Sequence, residues 1–223
     1  GSATFWGTWA TIVRQNWFWV LALVSTFLIG ISRAFLAVHF PSQILVGWGI
    51  GALFVIIYLS TDQKITTWFN QKNLSQQTAI LVGISTTLVL IGVGARALSI
   101  DWQIPNMWIE NASRSHSDGS WTDPFLLKGV VRDAGIFLGF SYGVVLLNAK
   151  FNFSVPRTMS KRTIILLAGI ALSLALWYGV GSAIPKTSQN TLYYSLQYVR
   201  SFLFGFWISF GWPYCLIQIK WTD

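Results

Sequence analysis

Between residues 32 and 43 the chain reads Ser-Arg-Ala-Phe-Leu-Ala-Val-His-Phe-Pro-Ser-Gln. These residue types can do phosphoryl chemistry. Arg33 offers a planar fork of donors that can hold two phosphate oxygens in parallel bonds. His39 can attack phosphorus as a nucleophile when another group orients its ring. Pro41 disfavours helix at Phe40 and can start the next helix, which puts His39 at a corner between helices. Backbone N–H groups at the start of a helix over 42–59 would add positive potential there. Keeping Ser32, Arg33 and His39 at the mouth of two apolar helices is costly without partners. Taken alone, the pattern permits a phosphate site, and a structural polar corner explains it equally well.

The elements that must position this segment are hydrophobic. A helix needs about 20 mostly apolar residues to cross the hydrocarbon. Seven stretches approach that length, at about 3–13, 17–36, 42–59, 78–98, 129–147, 163–181 and 194–217. The first is short and reads as an incomplete span. Gln15-Asn16 forms a tight turn, 60–77 and 99–128 are polar connections, 148–162 is basic, and 182–193 carries Pro185 with several Ser, Thr and Asn. The expected fold is all-α, one polytopic transmembrane bundle over 1–223.

Composition agrees. The 223 residues are 53% hydrophobic and 10% charged, with a mean hydropathy of +0.55. A soluble domain carries about 25% charged residues, so most of this surface has to face lipid. The net charge of +8 is spread between apolar runs and forms no stripe, which excludes nucleic acid as the expected partner and names the bilayer instead. Alternating loops place Arg14, Lys64, Lys72, Lys150, Arg157, Lys161, Arg162 and Lys220 on one side. Arg33, Arg96, Arg132 and Arg200 fall at or inside helix ends, where pairing or function is expected. Apart from those four, the other side holds only Arg114, Lys128 and Lys186. The positive-inside rule makes the first side cytoplasmic, so Arg33 and His39 face away from the cytoplasm.

Other candidates read as structural. His116 stands in a polar loop with no second histidine, and no metal-ligand spacing occurs, so neither a metal nor another cofactor is expected. Cys215, the single cysteine, reads as a small buried hydrophobe. Arg132-Asp133 suits an ion pair at the membrane boundary, with substrate binding as the sharper option. Gly135, Gly139 and Gly143 form a small-residue row that lets helices approach closely, and Gly47, Gly49 and Gly51 read the same way. The 99–128 loop carries Trp102, Met107, Trp108 and Trp121, and is expected to fold down over the membrane boundary.

Ser32-Arg33, five residues, then His39 resembles the third signature of the type 2 phosphatidic acid phosphatase superfamily, which includes the vanadium haloperoxidases. The resemblance implies that Arg33, with Ser32 beside it, binds the phosphoryl group and that His39 becomes phosphorylated. An Asp four residues after the His usually orients the ring. Gln43 stands there instead, as in the His-Phe-Pro-x-Gln stretch of the glucose-6-phosphatases. Asp123-Pro124-Phe125, Leu138-Gly139-Phe140 and Pro213-Tyr214-Cys215-Leu216 are similar to that branch too.

The implied protein is a metal-independent phosphatase. It would hydrolyse a lipid phosphate, or a sugar phosphate such as glucose 6-phosphate, through a phosphohistidine. Its site would open to the periplasm in a bacterium or to the endoplasmic-reticulum lumen in a eukaryote. Residues 1–59 would be the C-terminal part of the phosphatase core, and 60–223 additional spans. Two superfamily signatures do not occur, a Lys and Arg-Pro element and the Pro-Ser-Gly-His that carries the proton donor. The chain therefore reads as truncated at its N-terminus and inactive by itself, with Gly1-Ser2 equally suited to a cloning remnant. Gln43 and the missing signatures leave a non-catalytic transport or scaffold component as the alternative. Oligomeric state is not legible.

Overall fold

Asn16 to Phe35 is an apolar run without proline, and it forms a single helix, α2, closed by the Leu36 N–H on the Ser32 carbonyl. The computed structural model describes residues 2–13, 15–36, 40–99, 101–114, 125–151, 153–156, 158–184 and 190–221, without the side chains of 11, 12 and 112. Around α2 lie α1 (Ser2–Val13) and α3 (Pro41–Asn70), followed by α4 (Leu74–Leu98), α5 (Asn106–Arg114), α6 (Lys128–Lys150), α7 (Met159–Ser182) and α8 (Thr191–Phe206). A π-helical turn, Trp207–Gly211, joins α8 to α9 (Trp212–Gln218). The described residues are helical or connecting; no strand occurs among them.

Among the described residues five helices are long and apolar enough to cross a membrane: α2, α3, α4, α6 and α7. Of the seven expected stretches, α1 has 12 residues, fewer than the ~20 that a crossing needs. The 194–217 stretch is the run α8, π turn, α9. Pro213 explains the interruption: it has no N–H to give the Ser209 carbonyl, and its ring crowds that carbonyl in a regular helix. Widening the turn relieves both, and the Trp212 N–H bonds the Trp207 carbonyl instead. Apolar side chains point outward, Leu23 at 67% and Leu90 at 63% exposure. Such a surface is at ease in lipid.

The polar stretch 60–77 is not all connection. α3 continues through it to Asn70, and its 30 residues span ~45 Å against ~30 Å of hydrocarbon. Ser60 and Thr61 return their hydroxyls to the Ile56 and Ile57 carbonyls, so the polar turns stay helical. Asn73 then opens α4 with a reciprocal cap: its side chain accepts from the Gln76 N–H while Gln76 accepts from the Asn73 N–H.

The chain divides into two compact units, residues 1–69 with 102–124, and 70–101 with 125–223. In the first, glycines set the close approaches. A Cβ on Gly51 would lie 2.7 Å from that of Ala3, and one on Gly7 would lie 2.8 Å from Val55 Cγ2, so α1 and α3 meet at two notches. Trp48 of α3 lies against Gly30 of α2 and 5.8 Å from the Phe27 ring. Gly47 and Gly49 have nothing within 4 Å, so of that row only Gly51 packs.

In the second unit the α6 glycine row forms the central helix contact. Gly135 lies under the Tyr198 carbonyl and Ser201, Gly139 under the Phe202 carbonyl, and Gly143 under Ser209 Oγ, while Gly205 of α8 takes the Ile136 carbonyl. Ser85 of α4, fully buried, donates its hydroxyl to the Ala134 carbonyl at 2.9 Å. Its single proton is thereby used, so the Tyr198 hydroxyl, 2.7 Å away, donates to Ser85. One serine thus joins α4, α6 and α8. α7 is held by Trp212 over Gly169 and by Arg200, which lies 3.9 Å above the Trp177 ring and donates to the Trp177 carbonyl.

Candidate functional site

The segment with the chemistry joins two helix ends in the first unit. Ser32 and Arg33 lie in the last turn of α2. Ser32 Oγ donates to the Ile29 carbonyl at 2.9 Å, so its proton serves the helix. Arg33 is exposed, and a cation in the last turn complements the partial negative charge of the helix C-terminus.

On the other side of the corner, Pro41 opens α3 with its φ already suited to helix. The Phe40 carbonyl accepts the N–H groups of Gln43 and Ile44, at 3.0 and 3.3 Å, which starts the helix ladder. Gln43 answers: its side-chain oxygen accepts the Phe40 N–H at 3.1 Å. This is one half of a capping box. The other half is missing because a phenylalanine before the helix has no oxygen to offer. Gln43 therefore reaches back to the residue that follows His39. His39 itself lies outside the described residues, as do His116 and Asp123-Pro124.

Sequence reasoning did not find α5, which folds within the 99–128 segment. Trp108 and Ile109 fall on one side of this helix, and Glu110 pairs with Arg114 across one turn of the other at 2.6 Å. Both partners of that pair are exposed, so it adds little stability. The Trp108 ring centroid lies 4.9 Å from that of Phe40, and Trp102 is 6.3 Å from Trp108. An aromatic row thus runs from the residue beside His39 into α5. The signal in the sequence was the spacing of Trp108, Ile109 and Ala112 against Glu110 and Arg114.

The remaining candidates belong to the second unit. Arg132 Nε donates to Asp133 Oδ1 at 2.8 Å between exposed neighbours, which is the ion pair expected of them. Cys215 is half-buried on α9, less enclosed than its apolar surroundings suggest.

Comparison with known families separates the chain along nearly the same line. Residues 1–67 match the sequence model of the PAP2 superfamily and lie within the first unit. Residues 131–223 match the model described as PAP2 superfamily phosphatase, transmembrane extension, and lie within the second. No match was found among curated proteins or among solved structures. The helical membrane fold, the Arg-to-His segment between α2 and α3 and the two matches lead to one conclusion: this chain belongs to the type 2 phosphatidic acid phosphatase superfamily and carries its transmembrane extension.

Proposed function

We propose that the protein hydrolyses a phosphate monoester at the membrane boundary, with His39 as nucleophile and no metal ion. A nitrogen of His39 forms a bond to phosphorus as the ester P–O bond breaks on the opposite side. The leaving oxygen takes a proton from a general acid, the role that the resemblance gives to the histidine of a Pro-Ser-Gly-His element. Water then attacks the phosphohistidine, releasing inorganic phosphate and the free imidazole. Arg33 holds the equatorial oxygens, whose charge grows in the transition state. Ser32 lies beside it, and Gln43 orients the imidazole.

What supports this reading is the match of residues 1–67 to the PAP2 superfamily, a stretch that contains Ser32, Arg33, His39 and Gln43. Arg33 lies in the last turn of α2, and Gln43 lies in the first turn of α3, where it accepts the Phe40 N–H. The basic 148–162 loop supports a site facing away from the cytoplasm. The His-Phe-Pro-x-Gln likeness favours a sugar phosphate and the superfamily's name a lipid phosphate; both are monoesters of the required kind.

Steady-state hydrolysis by the protein expressed from its complete reading frame tests the proposal. His39→Ala and Arg33→Ala should each lower kcat/KM by ~10²–10⁴. Unchanged turnover in His39→Ala would refute it.

One observation favours a second reading, a non-catalytic membrane component that keeps the fold. Gln43 does structural work as a helix cap, which would retain it without catalysis. A wild-type protein that hydrolyses neither lipid nor sugar phosphates would support that reading.

A further inference from the structure

From the aromatic row on α5 we infer that Trp108, with Trp102 beside it, forms the wall against which the leaving group of the substrate packs. This rests on the proposed phosphatase reading and adds the part of the site that chooses the ester. Trp108 lies 4.9 Å from Phe40, which is covalently joined to His39. Consecutive Cα atoms lie about 3.8 Å apart, so the row begins within one residue of the proposed nucleophile.

The rings are only partly covered by protein. Trp102 is 51% exposed, Trp108 38% and the adjoining Met107 64%, so one end of the row is anchored on Phe40 and the rest offers open apolar surface. Glu110 and Arg114 pair on the opposite side of α5, and Trp102, which precedes the helix, leans on Trp108 from outside it.

A phosphate ester attacked by His39 places its first leaving-group carbons a few ångströms from phosphorus, and the row starts on the next residue of the chain. The chemistry that the rings recognise is a C–H-rich surface next to the phosphoester oxygen. An alkyl chain has it along its length, and a pyranose has it on one face. The inorganic phosphate product has none, so the wall discriminates between esters and leaves phosphate binding untouched. A tryptophan that serves only as an interfacial anchor would show no such selectivity.

Equilibrium binding tests this in protein expressed from the complete reading frame and held in detergent. Three probes are used: orthovanadate, which mimics five-coordinate phosphorus, octyl phosphonate, and a phosphonate isostere of glucose 6-phosphate. Trp108→Ala should leave vanadate affinity within about twofold while weakening one or both phosphonates roughly tenfold, the effect of removing one aromatic stacking surface. Trp108→Phe should restore most of the loss. Trp102→Ala, outside α5, should weaken the same phosphonate and guards against a folding defect in the first variant. Loss on the octyl probe assigns the wall to a chain, and loss on the sugar probe assigns it to a pyranose face. Equal losses on all three probes, or no loss on either phosphonate while vanadate still binds, would overturn the inference and leave the phosphatase reading standing. A wild-type protein that binds none of the probes and hydrolyses no ester would overturn both.

Discussion

The Phe40 N–H donates to the side-chain oxygen of Gln43 at 3.1 Å, closing the first turn of α3 onto the residue that follows His39. At this position the chain has an amide that caps a helix. Gln43→Ala should remove the cap at a stability cost of about 0.5–2 kcal/mol and, by freeing the corner, lower kcat at least tenfold. Gln43→Glu keeps an acceptor in the first turn, where negative charge is favoured, and should keep the thermal midpoint. Thermal unfolding in detergent and steady-state kinetics check both. An unchanged kcat in Gln43→Ala would confine Gln43 to capping.

The α6–α8 contact should not tolerate side chains on its glycines. A Cβ on Gly139 would run into the Phe202 carbonyl, and one on Gly143 into Ser209 Oγ. Gly139→Leu should destabilise by about 1–3 kcal/mol or more, the usual cost of overpacking. Gly47→Ala, with open space around it, should be neutral or stabilise by up to ~1 kcal/mol through helix propensity. Comparable losses in the two variants would contradict this packing.

Ser85 and Tyr198 form a pair suited to a double-mutant cycle. Ser85→Ala leaves the Tyr198 hydroxyl and the Ala134 carbonyl without this partner. Side-chain hydrogen bonds between membrane helices couple by about 0.6 kcal/mol on average and up to ~2. The cycle with Tyr198→Phe should give a coupling in that range, measured by unfolding in detergent. Zero coupling would mean that the hydroxyls are not bonded.

The membrane orientation is open to labelling. In a Cys215→Ser background, a cysteine replacing Ser154 should react with impermeant maleimide from the cytoplasmic side. One replacing Ser113 on α5 should react from the opposite side. The basic 148–162 loop motivates this. Labelling of both from one side would remove a span.

Much of this arrangement was legible because its causes are local. Apolar run length gave the spans, Pro41 gave the start of α3 with Gln43 in its first turn, and the four-residue spacing of Gly135, Gly139 and Gly143 gave a close-packing face. What was not legible has other causes. Residues 60–70 read as a loop by polarity, but Ser60 and Thr61 bond back to their own helix and lose nothing by staying in it. α5 is nine residues long, too short to stand out inside a polar segment. The seating of Trp108 on Phe40 and the donation from Tyr198 to Ser85 join residues far apart in the chain, and no local pattern announces such contacts. The cap formed by Gln43 could have been read from its place three residues after the corner, had the amide been weighed as a helix signal.

The central claim is that phosphorus is transferred to His39. The most direct measurement traps that adduct. Protein from the complete reading frame is mixed with a phosphate monoester carrying labelled phosphorus, quenched within a turnover, digested and mapped. The account predicts label on the peptide that contains residue 39, stable in alkali and lost in acid as an N–P bond is, and absent from His39→Ala. Turnover of the same ester with no label on that peptide, and with His39→Ala still active, would contradict it.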